Sequence, residues 1–198
     1  MTESARPGPA RALRPVARLN ARITAYLVDS VILLAVILVF FVLGGAVLLF
    51  SSDFGAGDPP DSAYYACLAI FLGGSLLAWS ALNLALMRWR GQSAGMYVVG
   101  IRAVSEDASA ITTGQTLRRW FGVHPLLFHP FLLPVWAVFS LLIVSFTLSQ
   151  AVLVVTLALV LLCIVAPLAS LIALIADPER RALHDRLART LVVHIGQP

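Results

Sequence analysis

The sequence predicts an all-α membrane protein: a four-helix transmembrane bundle with a short cytoplasmic loop element and a cytoplasmic C-terminal helix. Three observations predict it. Of 198 residues, 60% are hydrophobic and 12% charged, with a mean hydropathy of +0.91, so a soluble core of this size could not hide the apolar surface. Four apolar runs are long enough to cross a hydrocarbon layer, which takes about 20 residues in a helix. All 14 basic residues are arginines, and every one falls on the same side of those runs.

The spans cover about residues 23–50, 63–87, 130–148 and 151–176. The first is far longer than the roughly 7–15-residue apolar core of a secretory signal and contains Asp29, so cleavage is not expected. The last two are separated only by the polar patch Ser145, Thr147, Ser149 and Gln150, which reads as a tight hairpin. Arg6, Arg11, Arg14, Arg18 and Arg22 occupy the tail of about residues 1–21 and the start of span one. Arg88, Arg90, Arg102, Arg118 and Arg119 lie in the loop of about residues 88–122, and Arg180, Arg181, Arg186 and Arg189 in the segment of about 177–198. The loop between spans one and two has Asp53, Asp58 and Asp61 but no arginine. Four spans with both ends cytoplasmic satisfy this bias, and three or five do not. The whole of about residues 22–195 is read as one membrane domain.

In the cytoplasmic loop, Tyr97, Val98, Val99, Ile101 and Val104 around Gly100 read as a short strand. Thr112 and Gln115 have capping-box spacing, predicting a helix that lays Leu117, Trp120 and Phe121 on the membrane surface with Arg118 and Arg119 toward the headgroups. Asp177 before Pro178 reads as the start of a further helix through Leu183 and Leu187. The apolar stretch 190–195 resembles a strand, which could pair with 97–104 and tie the loop to the C-terminal segment.

Asp29 is the residue with the most chemistry. A central carboxylate in a span costs about 2.5–3.5 kcal/mol on insertion scales and needs a partner or a proton. Arg22 lies seven residues earlier, about 10 Å along the same helix face, too far for direct contact. Two readings stay open: Asp29 lines a wet vestibule and exchanges a proton or small cation, or an arginine such as Arg22, Arg118 or Arg186 fixes it and clamps the bundle. His124 and His129, each before a proline, are poorly spaced to share a ligand. Ser75, Ser80 and Asn83 read as hydrogen-bonding between helices. Trp79, Trp89, Trp120, Tyr64 and Tyr65 read as interface anchors and packing residues. Cys67 and Cys163 sit in apolar runs without metal-ligand spacing. No phosphate loop, nucleophile-base pair or catalytic carboxylate pair is present, so neither an enzyme, a cofactor nor a metal is expected. The spacing of the arginines argues against nucleic acid, leaving the lipid bilayer as the evident partner.

Three segments together resemble the RDD family of bacterial membrane proteins. They are Arg22, Ala25 and the Val28-Asp29 pair; Gly91 through Gly95 to Gly100-Ile101-Arg102; and Leu183-His184-Asp185-Arg186 with the apolar run after it. Where the family commonly has lysine after the glycine of the second segment, this chain has Met96. The resemblance implies a small helical domain in a bacterial cytoplasmic (inner) membrane, for which transport or ion exchange has been proposed. It raises Asp185 above a surface residue paired i,i+4 with Arg181 and Arg189, and implies an ionic cluster of Arg22, Asp29 and Asp185, with Arg118, Arg186, His184 and Gly95 in support. The expectation is ion or small-solute movement, within the bundle or between subunits of a homo-oligomer. The alternative is a non-catalytic accessory or assembly subunit of a larger membrane complex.

Overall fold

The computed structural model describes residues 15–147 and 150–195. Arg6, Arg11 and Arg14 of the N-terminal tail, and residues 148 and 149 of the hairpin, lie outside the described residues. The chain is mostly helical. Helix α1 (Leu19–Ser51) leads to α2 (Asp61–Leu68), which passes through a π-helical segment (Ala69–Gly74) into α3 (Ser75–Arg90). Then come α4 (Ala94–Val99), β1 (Ile101–Ser105) and α5 (Thr113–Phe121). A 3-10 turn (Pro130–Leu132) opens α6 (Leu133–Thr147), and α7 (Gln150–Ala176), α8 (Leu183–Ala188) and β2 (Thr190–His194) follow.

Among the described residues, three helices are long and apolar enough to cross a membrane: Leu19–Ser51, Asp61–Arg90 and Leu153–Ala176. The remaining apolar helix, Pro130–Leu142, is shorter. Their faces are apolar all round, as lipid-facing helices are, so packing is set by a few side chains and not by an amphipathic stripe. The buried core joins Leu33 of α1, Leu72 and Trp79 of the second helix, Leu126, Leu127 and Leu132 of the connecting loop, and Val135 of α6. Trp120 of α5 belongs to that core and is not a surface anchor, whereas Trp89, Tyr64 and Tyr65 are exposed. Ser75 and Asn83 do not bridge helices. Each donates to a carbonyl one turn back in its own helix, to Phe71 at 2.5 Å and Trp79 at 3.0 Å, the cheapest acceptor within reach of a short side chain.

The strands β1 and β2 form a two-stranded antiparallel sheet, with Ala103 opposite Val192 and Ser105 opposite Thr190. The predicted strand at 97–104 is corrected at its first half. Ser93 caps Ala94–Val99 by accepting from the Met96 amide at 3.2 Å, and the helix stops at Gly100, whose φ of 72° favours glycine. Only Ile101 onward is extended. Val16 adds a bridge on the far side of β2, where the His194 amide donates to the Pro15 carbonyl and the Ala17 amide to Val192. The Thr112–Gln115 capping box is formed in both directions. Asp177 does not start a helix: its carboxylate accepts from the Glu179 and Arg181 amides and closes a turn, and α8 begins only at Leu183.

Candidate functional site

The site is built where α1, α4, α5, α7 and α8 meet. Asp29 lies on the inner face of α1, 2% exposed, against the start of α4. No arginine among the described residues reaches it. The Ser93 hydroxyl donates to one carboxylate oxygen at 2.5 Å and the Gly95 amide to the other at 2.8 Å. This corrects the expectation that Arg22, Arg118 or Arg186 fixes Asp29. Gly95 makes the approach possible, because a Cβ there would overlap the Ala25 carbonyl and stand 2.9 Å from the Asp29 carboxylate carbon. Arg118 is exposed, and the half-exposed Arg186 bonds the buried Asp177 at 3.2 Å.

Two turns earlier on α1, Arg22 donates to Asp185 of α8 at 2.6 Å. Arg119 of α5 donates to the other oxygen of Asp185 and, at 2.9 Å, to the Thr190 hydroxyl. The Ala182 amide is a third donor to the carboxylate, at 3.1 Å. Asp185 and Arg119 are 0% and 1% exposed, so the headgroup-facing role expected of Arg119 is overturned. Its helix is amphipathic, but the buried face carries Thr116, Arg119 and Trp120 because a carboxylate waits behind it. Asp185 does not pair with Arg181, which bonds Asp177, Glu106 and Glu179. The structure therefore joins Arg22 with Asp185, adds Arg119, and holds Asp29 apart on different donors.

Burial alone would raise the Asp185 carboxyl, but the guanidiniums of Arg119 and Arg22, with His184 between them in strength, hold it below the usual carboxylate range. His184 and His124 sit beside the cluster with ring centroids 4.2 Å apart. Burial first, then the arginines against the opposing pull of Asp185, pushes His184 down to about 3. Burial, His184 and Arg119 likewise push His124 well below its ordinary value. Both rings are neutral at pH 7. A histidine with a depressed folded pKa contributes stability that is complete above its unfolded value of about 6.5 and is lost as pH falls below it. The thermal midpoint of the solubilised protein should therefore hold from pH 8 to 7 and decline on acidification from about 6.5 toward 4. A midpoint that rose over that window would contradict the arrangement. The groups facing the two rings are Arg22 from α1, Arg119 from α5, Asp185 from α8 and each other.

A cavity of about 280 Å³ lies between these groups, lined by Arg22, Tyr26 and Asp29 of α1, by Arg119, His124 and His184, and by apolar side chains of α7 including Leu171 and Leu174. Several donors on its wall have no acceptor among the described residues: Nε and Nη2 of both Arg22 and Arg119, and Nε2 of His124. The His124 Nδ1 accepts from the Leu126 amide at 3.1 Å, so the ring proton is on Nε2. Each buried donor left this way costs on the order of 1–3 kcal/mol. His129 is differently placed. Its Nδ1 accepts from the Phe131 amide, so its Nε2 proton points to the Ser30 hydroxyl at 2.8 Å, which donates in turn to the Tyr26 carbonyl. Among the described residues, no group of three histidine, cysteine or acidic side chains could hold a metal ion.

Sequence reasoning missed Arg119 and Ser93 at this site. The one available signal for Ser93 was its helix-capping position within the second family-like segment. Comparison with the curated proteins and with the solved structures finds no match for the chain. The family model described as RDD family does match, over residues 16–189, from the bridge at Val16 through α8 to the charged cluster; the chain belongs to the RDD family.

Proposed function

We propose that this RDD protein spans a bacterial cytoplasmic membrane four times, with its sheet on the cytoplasmic side, and exchanges a proton or small cation at Asp29. The observation that carries the reading is that a carboxylate inside a membrane-spanning helix is met, among the described residues, by neutral donors and borders a cavity. Its charge can change without breaking an ion pair. On gaining a proton the carboxyl can donate to the Ser93 hydroxyl, which turns from donor to acceptor. Asp185 cannot serve this way, because two guanidiniums keep it ionised.

The four-span count and common side draw support from the sheet. Val16, β1 and β2 are hydrogen-bonded together, and one sheet stays on one side of a bilayer. The number of crossings between Val16 and β1, and between β1 and β2, must then be even, which pairs α1 with the 61–90 helix and the short α6 with α7. The arginine distribution supports taking that side as the cytoplasm.

The test is proton flux in liposomes holding the purified full chain under a sodium or potassium gradient. Wild type should show cation-dependent flux, and Asp29→Asn should reduce it at least about tenfold with the thermal midpoint kept. A silent wild type that co-purifies with a fixed membrane partner would support the accessory-subunit reading instead, in which the charged cluster serves only to join helices.

A further inference from the structure

We propose that the cavity is a binding site for an acidic phospholipid, with the phosphate against Arg22, Arg119 and His124 and the start of an acyl chain between α1 and α7. The wall at the cluster is short of acceptors: five donor nitrogens on three side chains, each nine-tenths or more buried, have none among the described residues. Two guanidiniums face one carboxylate there, so a positive charge is left over. Asp29 does not cancel it, because its oxygens are already taken by Ser93 and Gly95 and it lies about 10 Å further along α1. A group with several anionic oxygens supplies both what is missing in charge and what is missing in acceptors.

The rest of the wall selects the other half of the ligand. Beyond the cluster it is made of side chains such as Ile23, Met96, Leu168, Leu171 and Leu174. Helix α1 packs on α4 and on the 61–74 segment, while α7 packs on α6, so the cavity fills the gap left between α1 and α7. Ile23 and Leu168, one from each helix, are 41% and 56% exposed on the lipid-facing side, which puts the mouth toward the bilayer. At about 280 Å³ the space is at the small end of the roughly 300–1,000 Å³ of ligand pockets. It therefore takes a headgroup phosphate and the first part of one chain, with the remainder of the lipid left in the membrane.

This site shares its cavity with the proposed ion exchange but uses different groups, and it is read as bound mass and not as flux. The experiment is native mass spectrometry of the delipidated full chain in detergent, titrated with phosphatidylglycerol or phosphatidylcholine. One phosphatidylglycerol should bind at least about tenfold more tightly than phosphatidylcholine. Arg119→Gln should remove that preference. Because Arg119 also supports the fold, Leu174→Trp, which fills the apolar part and leaves every charged residue in place, should independently weaken binding about tenfold. Asp29→Asn should bind the lipid as wild type does, so a failure of ion exchange leaves this result standing. Equal binding of the two lipids, binding unaffected by Leu174→Trp, or full displacement by millimolar inorganic phosphate would overturn the proposal.

Discussion

Asp185→Asn is expected to destabilise the protein by about 3–5 kcal/mol, the range for removing one partner of a buried ion pair. The substitution keeps the shape of the side chain and removes its charge, leaving Arg22 and Arg119 to face one another with no counter-ion in a site that is almost fully buried. The three anchors of the carboxylate come from α1, from α5 and from the start of α8, so the loss is felt across the whole domain. Denaturation of the solubilised protein measures it. Adding Arg119→Met to Asp185→Asn should recover part of the loss, since Arg22, 9% exposed near the start of its span, can turn its head toward water while Arg119 cannot. A single variant with the midpoint of wild type would show that the cluster contributes nothing to the fold.

The second large effect is expected at Gly95. Replacement by alanine puts a methyl group into the Ala25 carbonyl and against Asp29, and backbone cannot yield as a flexible side chain can. Helix α4 must move off α1, which stretches or breaks the bonds from the Gly95 amide and the Ser93 hydroxyl to the carboxylate. Overpacking costs about 1–3 kcal/mol and a hydrogen bond to a charged group about 1.5–3, so a loss near 3 kcal/mol or more is expected. Gly95→Ala should also lower the yield of folded protein on extraction, measured by size-exclusion chromatography. By contrast Gly45→Ala, at a glycine of α1 with open space around it, should be tolerated; equal effects at the two positions would refute the contact.

Three of the expected membrane helices were legible because length and apolar run are properties of one segment at a time. The same holds for the Thr112–Gln115 cap, which is a rule about four neighbouring residues. Arg119 was not legible. A pattern can show that α5 has two faces, but a guanidinium on the apolar face is explained only by a carboxylate 66 positions later in the chain. Residues 97–99 went astray for a related reason: β-branched residues favour strands, yet Ser93 and Gly100 fix a helix between them that Asp29 then uses as its donor. Asp29 itself was recognisable as a carboxylate in need of compensation, but amide and hydroxyl donors leave less trace in a sequence than arginines do.

The chain order of the buried cluster has a bearing on how the molecule is made. Arg22 leaves the ribosome first and Arg119 about a hundred residues later, while Asp185 arrives only after the last membrane helix has been synthesised. Until then the two guanidiniums lack the carboxylate that joins them, so α1 and α5 are not yet tied through α8. The tie between α1, α5 and α8 is therefore the last of the domain's long-range ionic contacts to be made as the chain is synthesised, and a chain ending before residue 185 lacks it.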